Sequence, residues 1–160
     1  MKIAIGSDHC GFEMKQLLLP VLKKLGHTYS DYGNDSLEPV DFLDIARLVC
    51  DSVRGGEHDR GIMVCGTGVG AAIAANKIPG IRASVCHDIY SAHQSVEHDD
   101  VNIMCIGAQI VGPWLAEELV RSFLEARFSI EEHFHRRVEK LRLLELEAAR
   151  ELKNLLSSKN

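Results

Sequence analysis

The chain has 160 residues, a net charge of −5, 46% hydrophobic and 26% charged residues, which is enough apolar content for one buried core and excludes disorder. No apolar run approaches the roughly 18 to 20 residues of a membrane helix, and the first apolar residues give way at once to Gly6-Ser7-Asp8-His9, so no spanning segment or secretory leader is expected and the expected location is the cytoplasm. Residues 1–120 carry 9 Lys and Arg against 16 Asp and Glu, an acidic body that argues against a nucleic-acid surface, whereas residues 121–160 carry 9 against 7 and set Arg136 beside Arg137, which leaves room for a small anion.

From the N-terminus onward, short apolar runs alternate with helix-length amphipathic segments, the pattern of parallel strands joined by crossover helices. A strand is expected over 2–6, then a helix over 11–25 with Phe12, Leu17, Leu18, Val21, Leu22 and Leu25 on one broad stripe. Strands over 27–32, 61–65, 82–86 and 102–106 follow, separated by helices over 40–54, 69–77 and 89–97. The runs Ile62-Met63-Val64-Cys65 and Ile103-Met104-Cys105-Ile106 are apolar on both faces, as buried parallel strands are. Pro113 opens a helix over 113–127 at a position where a missing N–H costs nothing. A last helix over 131–156 spaces Val138, Leu141, Leu144, Leu152 and Leu155 for one apolar face. It is long for a domain of this size, and either packs on its own sheet or lends part of its stripe to a second subunit. The expectation is an α/β protein of one domain, 1–160: a three-layer αβα sandwich around a five-stranded parallel, Rossmann-like sheet, with a long C-terminal helix.

Five cysteines with no Cys-x-x-Cys pair fit a reducing compartment and argue against a disulfide framework or structural zinc. Cys10, Cys50, Cys86 and Cys105 are expected in the core. In doubly wound sheets the ligand lies beyond the carboxyl ends of the strands. There the first strand presents Asp8 and His9, and the third ends in Cys65 and runs into Gly66-Thr67-Gly68-Val69-Gly70, whose glycines let backbone N–H groups converge on an anion. A thiol beside such donors has its thiolate favoured, which makes Cys65 a candidate base or nucleophile. A lone cysteine at a strand end is more often a small buried hydrophobe; the adjacent Gly-x-Gly-x-Gly tips the balance. Asp8 could equally be a helix cap beside a surface histidine. His87, His93 and His98 do not share a helical face, so no metal is expected.

The start Met1-Lys-Ile-Ala-Ile-Gly-Ser-Asp-His-x-Gly-Phe, the central Cys65-Gly-Thr-Gly-Val-Gly with Ala-Ala-Asn-Lys77, the pair His98-Asp99 before Asn102, and the stretch from Gly107 to Gly112 resemble the type B ribose-5-phosphate isomerases and the galactose-6-phosphate isomerase subunits. The resemblance implies an aldose–ketose isomerase that needs neither metal nor other cofactor and works through an enediolate. Cys65 would be the base, with Gly66, Gly68, Val69 and Gly70 in the anion hole. Asp8, His9 and Thr67 would contact the sugar, and His98 would open its ring. The resemblance also implies a homodimer or tetramer in which His98 and Asp99 of one chain stand near Cys65 of another. This chain departs from the family at Asp99 (usually Asn), Gln109 (usually Arg) and Phe42 (usually Tyr). At the phosphate end His133 stands for a first arginine, and Arg137, or Arg136 if the register shifts by one, for a second. Fewer arginine forks mean a weaker grip on a phosphate.

Two other readings compete. Gly66-Thr-Gly-Val-Gly-Ala71 also satisfies G-x-G-x-x-A, with Asp88 about twenty residues on, as in a dinucleotide-binding protein. That loop, however, follows the third strand, and little chain remains for a substrate domain. The other reading is a family member that binds a sugar phosphate without turning it over, against which stand the intact Asp8, His9, Cys65, Thr67 and His98.

Overall fold

The computed structural model describes residues 1–158 and arranges them around five parallel strands. In chain order the elements are β1 (Lys2–Ser7), α1 (Phe12–Lys24), β2 (Thr28–Asp31), α2 (Phe42–Arg54), β3 (Arg60–Cys65), α3 (Val69–Ala75), β4 (Ala83–Val85), α4 (Ile89–Asp99), β5 (Ile103–Gly107), α5 (Pro113–Glu125) and α6 (Glu132–Ser157). The sheet order is β2-β1-β3-β5-β4. The chain winds outward from β1 to β2 and then returns to the other side of β1 to lay down β3. The carboxyl ends of β1 and β3 are therefore the switch point, where the loops leaving the sheet part and open a crevice.

Strand side chains alternate between two covered faces. Ile3, Ile5, Ile62, Val64, Met104 and Ile106 pack under α1, α4 and α5, while Ala4, Met63, Cys65, Ile103 and Cys105 pack against α2 and α3. This is the expected αβα sandwich, and the apolar runs of β3 and β5 are buried throughout. No described helix is long and apolar enough to cross a membrane.

Two expectations need correction, and of the two alternatives for α6 one falls away. The buried stripe of α1 is Met14, Lys15, Leu18 and Leu22, and Leu17 faces out at 52% exposure. A lysine sits in that stripe because its ammonium reaches both carboxylate oxygens of Asp31, at 2.7 and 2.8 Å, and the Asn34 carbonyl at 2.7 Å. Burial of the stem is thus compatible with a fully paired charge. Cys10 is exposed rather than in the core; it stands on the turn after β1, not on an element. The stripe of α6 does not pack on its own sheet: Phe134 is the helix's buried residue, whereas Leu141, Leu144, Leu152 and Leu155 are between 46% and 62% exposed. The helix leaves the body after its first turns and is tethered by the Glu145 carboxylate, which accepts the Gly80 N–H at 3.1 Å. Between α6 and residues 76–84 lies an open groove of about 790 Å³.

Candidate active site

At the crevice, β1 runs into a tight turn closed by the Gly11 N–H, which donates to the Asp8 carbonyl at 3.2 Å and to its carboxylate at 3.0 Å. Glycine is required there: a Cβ on Gly11 would stand 2.1 Å from the Val64 carbonyl oxygen. Asp8 is buried by this turn, and His9 leans across to residues 34–42, its Nδ1 accepting the Val40 N–H at 3.4 Å. The backbone of Ser7 is tied to the same segment, donating to Gly33 at 2.6 Å and accepting from Asn34 at 2.7 Å.

The loop after β3 lies beside that turn, because Ser7 and Val64 are register partners in the sheet. Cys65 is 5% exposed, and its Sγ accepts the Gly68 N–H at 3.1 Å. Gly68 makes this bond from a left-handed conformation (φ 79°) while pressed onto the β5 backbone, where a Cβ would come within 3.3 Å of Cys105 O and Gly107 N. Thr67 is exposed, and its Oγ1 accepts the Val69 N–H at 3.3 Å. Two of the residues at which the chain departs from the family pattern bound the loop: the Phe42 ring lies where a side chain on Gly70 would be, and the Gln109 amide lies over Gly66. A buried hydroxyl, Ser7 Oγ, has no hydrogen-bond partner among the described residues. The unpartnered Ser7 hydroxyl and the contacts of the other two with the loop are set by the fold and have no local signal in the sequence.

The thiols divide by chemistry. Burial pushes Cys50 up to about 12 and also raises Cys86 and Cys105, so these remain neutral thiols near pH 7. Cys65, which accepts a backbone N–H, faces the crevice loop instead.

A second cluster lies elsewhere. The His98 ring stacks on Phe134 with centroids 4.1 Å apart and 18° between planes, His133 tilts onto the same ring at 3.9 Å, and the Arg137 guanidinium lies 5.6 Å from its centre. On α6, His133 is followed three and four residues later by Arg136 and Arg137, both exposed and both within one helical turn of it, and of the two it is Arg137 whose guanidinium lies by the Phe134 ring. Glu97 and Glu131 flank the histidines at 3.8 and 3.3 Å. Asp99, the last residue of α4, is exposed and its carbonyl accepts from Arg82 Nε at 3.1 Å.

Topology keeps the two clusters apart. α4 starts at the carboxyl end of β4 and runs back the length of the sheet, about 16 Å for its 11 residues at 1.5 Å each, before β5 begins. His98 and Asp99 therefore sit at the amino edge, with His133 and Arg137, while Asp8, His9, Cys65 and the 66–70 loop sit at the carboxyl edge. The two other histidines weighed with His98 for a metal are otherwise engaged: His87 Nε2 accepts the Gly107 N–H at 3.0 Å, and His93 faces Glu97 at 3.7 Å. Asp88 caps α4, accepting the Ser91 N–H at 2.7 Å and its hydroxyl at 2.6 Å, and those bonds hold its carboxyl below the usual range. A carboxylate so occupied is a poor ribose ligand, which removes the main support for a dinucleotide site.

The sequence profile of the Ribose/Galactose Isomerase family matches residues 3–141. Ribose-5-P isomerase B of Listeria innocua is 46% identical over 129 residues, 81% of this chain and 87% of its own length. D-erythrulose-4-phosphate isomerase of Pectobacterium atrosepticum is 38% identical over 130 residues, 80% of this chain and 85% of that protein. The structure of Clostridium thermocellum ribose-5-phosphate isomerase B superposes with a TM-score of 0.90 at 44% identity, covering 92% of this chain and 99% of the other. A profile match that spans both the cradle around Cys65 and the rings around Phe134, together with identity at this level over most of each chain, establishes that this chain belongs to the Ribose/Galactose Isomerase family.

Proposed function

We propose that the protein interconverts an aldose phosphate and its ketose without a metal, with Cys65 as the base. The Cys65 thiolate takes the proton from C2 of the open-chain aldose, electrons move onto the carbonyl to give an enediolate, and the proton is returned to C1 while the hydroxyl proton passes from O2 to O1. Atoms and charge balance without any other reactant. Backbone N–H groups of Gly66, Gly68, Val69 and Gly70 stabilise the enediolate oxygens, where fixed dipoles act on charge that appears only along the reaction. Asp8, His9 and Thr67 hold sugar hydroxyls, and His98 protonates the ring oxygen to open the sugar. His133 and Arg137 hold the phosphate. Arg136, on the neighbouring face, adds charge without direct contact.

The observation that carries this reading is the Cys65 thiol, buried at a strand end and held by the Gly68 N–H at 3.1 Å, within a loop whose backbone is fixed on both sides. The separation of the two clusters supports a further element. Because His98 and Cys65 occupy opposite edges of one chain, a sugar that touches both must lie between two chains, so the active species is a homodimer, or a tetramer assembled from such dimers. The uncovered apolar face of α6 supplies area for that association.

The relatives are named for different sugars, among them ribose 5-phosphate and D-erythrulose 4-phosphate. The substrate is therefore proposed as a class, tetrose to hexose phosphates, and ribose 5-phosphate is the first to assay. Turnover on a panel of these phosphates and their free sugars tests the proposal: isomerisation of at least one phosphate, unaffected by chelator, is expected. Binding without turnover across the panel would favour the non-catalytic reading, and loss of activity with chelator would overturn the metal-free mechanism.

A further inference from the structure

The turn after β1 carries three consecutive side chains of different ligand type, Asp8, His9 and Cys10, and one donor atom from each lies within 4.8 Å of the other two. The frame that brings them together is rigid, since Gly11 closes the turn onto Asp8 and has no room for a Cβ against Val64. Asp8 spends one carboxylate oxygen, Oδ1, on that closure; Oδ2 has no hydrogen-bond partner among the described residues. The His9 ring is held by one long bond, 3.4 Å from Val40. Cys10 is exposed and belongs to neither core. Nothing in the proposed isomerisation uses its thiol.

We propose that Asp8, His9 and Cys10 form a site for a thiophilic divalent cation, Zn²⁺ above all, and that its occupation inhibits the enzyme by covering the sugar ligands. A carboxylate, an imidazole and a thiolate with a fourth position open to water is a donor set suited to zinc. All three ligands come from consecutive residues of one turn, so only neighbouring side chains have to close on the ion. The ion binds where sugar hydroxyls would otherwise meet Asp8 and His9. This inhibitory half rests on the proposed function; the binding half does not.

Cobalt titration of the full-length protein tests binding directly, because a cobalt–thiolate bond gives a charge-transfer band in the near ultraviolet. One equivalent of Co²⁺ is expected to produce the band in the wild type and in Cys65→Ser, and none in Cys10→Ser. Zn²⁺ should inhibit turnover of whichever sugar phosphate the panel identifies, with reversal by chelator. Cys10→Ser should keep its metal-free kcat and require roughly tenfold more Zn²⁺ or greater for the same inhibition. Absence of the band in the wild type, its persistence in Cys10→Ser, or its loss in Cys65→Ser would overturn the site. A Cys10-dependent band with turnover indifferent to Zn²⁺ would leave the cation site standing and remove Asp8 and His9 from the sugar.

Discussion

The two edges of the sheet solve the problem of placing reactive groups in opposite ways. At the carboxyl edge the cradle is made of backbone: Gly11 pressed on Val64, Gly68 pressed on β5, and a thiol that answers to a peptide N–H. At the amino edge the cluster is made of side chains, with two histidines and an arginine gathered on the single ring of Phe134. A backbone cradle is stiff and suits charge that develops at fixed points. A ring-stacked cluster of partly exposed groups suits recognition of an anion whose position varies with the length of the sugar. On the proposed function one edge would keep the chemistry and the other adapt to the ligand, in keeping with the different sugars for which the relatives are named.

The sharpest way to break that division is at the thiol. Cys65→Ala should lower kcat by about 10² to 10⁴-fold, the usual worth of a positioned general base, while circular dichroism and melting stay near wild type. Cys65→Ser should be nearly as poor, since a hydroxyl is too weak a base at neutral pH. Retention of more than about a tenth of the activity, a barrier change under roughly 1.4 kcal/mol, would move the base elsewhere.

The next effect is on stability and concerns what holds the carboxyl edge in place. Asp31→Ala leaves the fully buried Lys15 ammonium with only the Asn34 carbonyl, and breaking such a pair costs about 3 to 5 kcal/mol. Lys15→Met should cost less, because Asp31, at 23% side-chain exposure, can turn to water. Denaturant melts of the two variants check the order, and equal losses would mean that the pair is not what anchors the 31–34 segment.

The smallest effect belongs to the adaptable edge. An arginine fork grips a phosphate bidentately, which an imidazole cannot. His133→Arg should therefore lower KM for a phosphorylated substrate several-fold and leave KM for the free sugar unchanged. Equal KM values for the phosphorylated substrate in wild type and His133→Arg would take His133 off the phosphate.

Local pattern and global arrangement were unequally legible in the sequence. The five strands and the Gly-x-Gly-x-Gly loop follow from runs of apolar residues and from glycines, features a chain carries locally, and their observed bounds lie within one or two residues of expectation. The buried face of α1 was misread because a lysine in the stripe looks polar until its distant partner Asp31 is known. Phe134 was missed altogether: one aromatic at the start of a polar helix has no local signal, and its role exists only because α6 crosses the end of α4. Likewise the sequence alone does not rank Arg136 against Arg137, whereas in the structure the Arg137 guanidinium lies by the Phe134 ring. The separation of His98 from Cys65 follows from α4 running back along the sheet between the parallel strands β4 and β5, which sets its last residues at the amino edge.

That separation makes subunit complementation the most direct measurement of the whole account. Cys65→Ala and His98→Ala proteins, each inactive alone, are mixed under conditions in which subunit exchange is verified independently. If the sugar lies between two chains, half of the dimers become hybrids and each hybrid holds one intact site of two, so about a quarter of wild-type activity should return. Verified exchange with no recovered activity would contradict the account, because it would mean that Cys65 and His98 serve the same sugar from within one chain or that one of them does not serve it at all.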